Sequence, residues 1–158
     1  MSRFSVVPCG IEVSLIGPEI AVLYQLGSLL GAAGVDRNDP ARARLIPQIY
    51  PDDERASRDF DRFGEKERVE VRSVDREIFN EGLDNAVGGP MVLTDEEAAA
   101  WARVLGEARI VLGARKGLFE NGLPEQAGRD PEVALVTFLG MLQEELVGEM
   151  LTRLGEAK

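Results

Sequence analysis

The last stretch of the chain sets the first constraint on the fold. Asp130-Pro131 opens it with an N-cap carboxylate and a proline in the first turn. Helical spacing then continues to about Leu154. At about 100° per residue, the apolar positions from Leu135 onward cover more than half of the helix circumference, where a surface helix needs a stripe of only about 100°. Such a helix is either central to a bundle or shares a face with a second subunit.

The remaining signals are also mostly helical. Gly17-Pro18-Glu19 starts a helix carrying Ile20, Leu23, Tyr24, Leu26, Leu30 and Ala33, down to Gly34. Asp39-Pro40 starts a short one that Pro47 interrupts. A third begins near Asp52 or Asp53 with Ala56, Phe60 and Phe63 on one face, and Gly64 is expected to break or bend it. A further segment over 66–84 sets Val71, Val74, Ile78 and Phe79 along a stripe. Gly82 through Gly89 read as a connector.

Thr94 and Glu97 have capping-box spacing. The helix they open places Trp101, Val104, Leu105, Ala108, Val111 and Leu112 on one face, as far as about Gly117, before a loop over 118–129. Two short runs are β-prone. Residues 3–15 form a hairpin around the turn Pro8-Cys9-Gly10, and Met91-Val92-Leu93 is an extended piece expected to touch it. The expectation is one domain over 1–158, with the hairpin at 3–15 and a helical bundle at 18–155. The fold class is mainly α with minor β.

Composition narrows the chemistry. The chain has 158 residues, no histidine and one cysteine, Cys9. A Ser-His-Asp or Cys-His engine, a histidine metal site and a cysteine-cluster zinc site are therefore excluded within one chain. An intramolecular disulfide is excluded as well. The 28 acidic and 18 basic residues give a net charge of −10, which repels phosphate backbones and anionic lipid. The arginine-rich stretch from Arg55 to Arg76 is interleaved with acids and reads as a solvated, salt-bridged helix surface. The N-terminus lacks signal-peptide features and no run reaches membrane-spanning length. We therefore expect a cytoplasmic protein with no membrane or direct nucleic-acid contact, no metal and no cofactor.

No catalytic group stands out. Asp52-Asp53-Glu54 and Asp95-Glu96-Glu97 sit at helix starts, where carboxylates stabilise the macrodipole. Glu144 and Glu145 fall on the polar side of the last helix. Arg103, Arg109 and Arg115 recur every six residues, so each is about 240° around the axis from the one before. Arg103 is spaced to pair with Glu107, and Arg109 to reach an acid on a neighbouring helix. Cys9 is the candidate redox thiol, with Arg3 the cation placed to approach it across the hairpin.

The order and spacing of several motifs are familiar. They are Asp39-Pro-Ala-Arg-Ala-Arg-Leu-Ile-Pro-Gln-Ile-Tyr50, Arg58-Asp-Phe-Asp-Arg-Phe63, the Trp101 to Gly117 stretch, and Phe138-Leu-Gly-Met-Leu-Gln143-Glu-Glu-Leu-Val147. This pattern resembles an actinobacterial family long known only as a domain of unknown function. Its genes are often beside that of the proteolytic adaptor ClpS, and its members include AosR-type oxidative-stress regulators.

The resemblance implies a non-enzymatic regulator acting by protein contact, with a sigma factor or related machinery as partner. With Cys9 alone, any thiol switch is intermolecular. Trp101, Arg109, Arg115 and Gln143 are the candidate structural or interaction residues, and a homodimer through the C-terminal helix is expected. Two other readings stay open: a ligand-binding or carboxylate/arginine enzyme pocket involving Arg109, Arg115 and Glu144, and an adaptor in Clp proteolysis.

Overall fold

The computed structural model describes residues 2–26, 29–30, 54–115 and 130–156, with the backbone alone for 54–69. The expected short helix at Asp39-Pro40, Ala33, the face of Ala56, Phe60 and Phe63, the charge pattern before residue 70 and the loop at 118–129 lie outside the described residues or side chains.

Strands β1 (Phe4–Val7) and β2 (Gly10–Val13) form the hairpin in the register Phe4↔Val13 to Val7↔Gly10, which leaves Pro8-Cys9 as a two-residue turn. A third strand, β3 (Met91–Leu93), pairs antiparallel with β2, Ile11 facing Leu93. The sheet order is β1-β2-β3, so the expected touching segment is a full member of the sheet. A side chain at Gly10 would place its Cβ 2.0 Å from the Leu93 carbonyl oxygen, so this close approach requires glycine. Phe4, Ile11, Val13 and Leu93 face the core, giving the sheet one buried face.

Four described helices complete the fold: α1 (Gly17–Tyr24), α2 (Glu54–Val87), α3 (Asp95–Arg115) and α4 (Pro131–Glu156). The mainly α architecture with a small sheet is as expected. Three helix starts also follow the local signals. Pro18 lies in the first turn of α1, and Glu19 accepts the Ile16 N–H at 3.1 Å. Thr94 and Glu97 form the reciprocal capping box, at 3.0 and 3.2 Å. Asp130 Oδ1 accepts the Glu132 N–H at 2.9 Å.

Four expectations need correction. First, α2 continues through Gly64, because one interior glycine costs a helix only about 1 kcal/mol. Second, Gly82 is inside α2 rather than in a connector. Third, Val71 and Val74 are exposed, and α2 instead turns Asp75, Phe79, Leu83 and Ala86 inward. Fourth, Tyr24 is partly exposed and donates its hydroxyl to Asp84 of α2, a bond that raises the phenol pKa.

The central helix is α3, not α4. Ala98, Ala100, Trp101, Val104, Leu105, Ala108, Val111, Leu112, Gly113 and Ala114 are all buried, which leaves α3 little free surface. Its alanines and glycines let α2, α4 and the sheet approach from several sides. Helix α4 buries Val133, Leu139, Leu142 and Leu146 and leaves Met141, Val147, Leu151 and Leu154 exposed. Among the described residues, no helix is long and apolar enough to cross a membrane.

Candidate functional site

Helix α3 sends its arginines to different neighbours, as their spacing requires. Arg103 reaches Asp75 on α2, with Nε and a terminal nitrogen each donating at 2.8 Å to one carboxylate oxygen. The planar fork of arginine matches a carboxylate in this way. Asp75 is buried, and its hydrogen bonds with Arg103 raise the Arg103 pKa. The expected Arg103–Glu107 pair does not close to salt-bridge distance, although the Arg103 charge still acts to lower the Glu107 pKa. Glu107 instead faces Arg72 of α2 at 3.5 Å. Burial pushes the Glu107 carboxyl pKa up, and Arg72 opposes it only in part.

On the other side of α3, Arg109 donates to Gln143 Oε1 on α4 at 2.6 Å, and Gln143 Nε2 donates back to the Ala102 carbonyl of α3 at 3.2 Å. Two glycines make room for this exchange. A Cβ at Gly106 would lie 2.7 Å from Gln143 Nε2, and one at Gly140 would lie 3.2 Å from Arg109 Nε. The seam is thus a polar clasp between notched helices. The structure joins two of the candidates, Arg109 and Gln143, and gives them a positioning role between helices. Arg109 pairs with an amide rather than with the acid expected of it.

Trp101 is a core residue. Its ring centroid lies 4.7 Å from that of Phe79 at 56°, and α2 passes over it at Gly82. Its indole N–H has no hydrogen-bond partner among the described residues. Arg115 is exposed at the end of α3. Glu144 is exposed on α4, as expected. Glu145, expected on the polar side, is half-buried and faces Arg3 at 3.5 Å.

Arg3 does not approach Cys9. It pairs with Glu19 and lies 5.6 Å over the Phe138 ring, joining β1 to α1 and α4. The cation near Cys9 is Arg153 of α4, a residue that periodicity did not single out. It donates to the Val7 and Pro8 carbonyl oxygens at 3.0 and 3.2 Å and to Asp95 at 2.6 Å. Cys9 itself is a free, exposed thiol at the tip that Arg153 holds.

The clefts lined by described residues include two beside these contacts. One, about 640 Å³, lies between the hairpin tip and the end of α4, with Val6, Val7, Pro8, Met150, Arg153 and Leu154 on its walls. The other, about 560 Å³, lies between α2 and α3. Neither is lined by Arg109, Arg115 or Glu144. Among the described residues, no group of three Cys, Asp or Glu side chains is placed to hold a metal.

Fold and surface together define a helical bundle closed by a three-stranded sheet. Its polar side chains mostly tie element to element, and among the described residues the exposed apolar side chains concentrate on α2 and α4. The chain belongs to the family described as Domain of unknown function (DUF2017), which matches residues 12–150. No curated protein and no solved structure matches it.

Proposed function

We propose that this chain is a cytoplasmic, non-enzymatic regulator that acts by protein contact and associates as a homodimer through α4. The observation that carries the reading is the uncovered apolar arc of that helix. Val147, Leu151 and Leu154 are 37%, 63% and 63% exposed after the bundle has packed. Leucine is common on surfaces singly, but successive turns of one helix face make a patch. The hairpin-tip cleft continues this patch, since Leu154 and Pro8 line it together.

The output follows from the resemblance to actinobacterial AosR-type regulators. It is oxidant-responsive control of transcription through a sigma factor or related machinery. In this chain the thiol step joins two molecules. Two Cys9 thiols and one hydrogen peroxide give one disulfide and two waters, or a small thiol takes the place of the second chain. Exposure of Cys9 supports that step.

Light scattering after size exclusion tests the proposal on reduced and on peroxide-treated protein. A dimer mass when reduced, reverting to monomer in Leu151→Glu, is expected. Peroxide should add a covalent species that Cys9→Ser lacks. A monomer at all concentrations that captures no transcription component would overturn the reading.

A further inference from the structure

We infer that the groove between α2 and α3 is a docking site for a basic amphipathic helix of a partner protein. The inference deepens the interaction-protein reading and rests on it, but it uses a surface separate from the α4 face. Val71, Val74 and Ile78 follow one another at helical spacing along α2 and form one wall. Ala99 of α3 faces them. Val71 and Val74 are 55% and 52% exposed, so the bundle core does not account for them. Valine is also a weaker helix former than alanine, glutamate or lysine, so an isolated helix gains nothing from it at a wet position. A helix partner reads such a stripe through anchors of the same i, i+3, i+7 spacing.

Charge selects the partner. Glu70 of α2 and Glu96 of α3 line the same groove, and Glu81 is exposed one turn beyond Ile78. Among the described lining residues Arg103 is the one cation, and Asp75 accepts from its Nε and one terminal nitrogen. Among its described lining residues the groove thus carries more carboxylates than cations around an apolar floor, in a chain of net charge −10. A helix with lysine or arginine flanking an apolar stripe complements both features, while an acidic helix or a nucleic acid is repelled. A second copy of this chain would bring the same acids against these.

The test uses the full chain and two fluorescein-labelled synthetic helices of identical leucine pattern, one with lysine and one with glutamate at every polar position. Anisotropy at physiological salt should show the lysine helix binding about tenfold or more tightly than the glutamate helix. Val71→Ser/Val74→Ser leaves the net charge unchanged, so it separates the groove from general attraction, and it should weaken binding about tenfold or more. Leu151→Ser should not weaken it. Unchanged Trp101 emission and scattering mass would show that the serine variant keeps its fold and association state.

Amide spectra should place the perturbations at 70–78 and 96–103. Equal binding of both helices, full binding by the serine variant, or perturbations centred on α4 would overturn the inference. A change of scattering mass in the serine variant would overturn it too, by making the groove a contact between copies. The dimer measurement on Leu151→Glu stands apart from all of these.

Discussion

Replacing Gly82 by alanine should destabilise the protein, against the ordinary rule for helices. Gly82 lies inside α2, where alanine is favoured over glycine by about 1 kcal/mol. The added Cβ, however, would lie 2.6, 2.8 and 2.9 Å from Cζ2, Nε1 and Cε2 of Trp101. Carbon atoms prefer about 3.5–4.0 Å, so the two helices or the indole must move by about 1 Å. The indole is fully buried and already packed on Phe79, which leaves it no free direction. Overpacking of this kind costs about 1–3 kcal/mol.

Set against the propensity gain of about 1 kcal/mol, the overpacking term leaves a net loss of up to about 2 kcal/mol. At this chain length that lowers Tm by up to roughly 8 °C. The assay is thermal unfolding followed by fluorescence. Trp101 is the one tryptophan of the chain, so the signal comes from the perturbed contact. Gly148→Ala is the control, since that glycine lies inside α4 and an added Cβ there would meet nothing within 4 Å. It should gain up to about 1 kcal/mol. If both substitutions stabilise equally, the close approach of α2 to Trp101 is refuted.

Other perturbations follow from the same contacts. Arg103→Ala should cost about 1–3 kcal/mol in urea denaturation, because it strips the buried Asp75 carboxylate of two donors. An unchanged midpoint would mean that solvent already serves that carboxylate. Glu107 has a folded-state pKa raised by burial, so the folded protein binds the extra proton and stability falls as pH rises from the unfolded value towards the folded one. Glu107→Gln should therefore raise Tm at pH 7, with the gain fading below the ordinary carboxylate range. A gain that is the same at pH 3 and pH 7 would contradict the burial effect. Arg109→Ala and Gln143→Ala should show a coupling of about 0.5–1.5 kcal/mol in a double-mutant cycle, and additive losses would dissolve the clasp. Arg153→Ala should speed amide hydrogen exchange in the 4–13 hairpin, and equal rates would show that the sheet holds the tip unaided.

Local chemistry was legible in the sequence wherever donor and acceptor lie within one turn. Thr94 with Glu97, Asp130 with Glu132 and the proline at the start of α1 needed no tertiary contact, and each helix begins where they place it. The hairpin was legible too, although the turn expected over Pro8-Cys9-Gly10 is only Pro8-Cys9, because Gly10 pairs with Val7 as the first residue of β2. The absence of histidine and the single cysteine also closed off whole classes of catalysis without a structure. Periodicity, by contrast, marks an apolar stripe without saying what covers it. Val71 and Val74 looked like core and are wet, while the acidic Asp75 beside them is buried.

The partners of charged side chains were set by packing. Arg103 could have met Glu107 four residues away, yet α2 presents Asp75 in better geometry. Arg153 binds the carbonyl of a residue 146 positions earlier, a contact no local spacing announces. Near neighbours and composition were enough to say where helices and strands start and which chemistries the chain lacks. They could not say that α3 is central, that α4 keeps an uncovered apolar arc, or that Arg109 and Gln143 close one seam. Each of these depends on which surfaces meet, and small side chains such as Gly106 and Gly140 set that by allowing close approach.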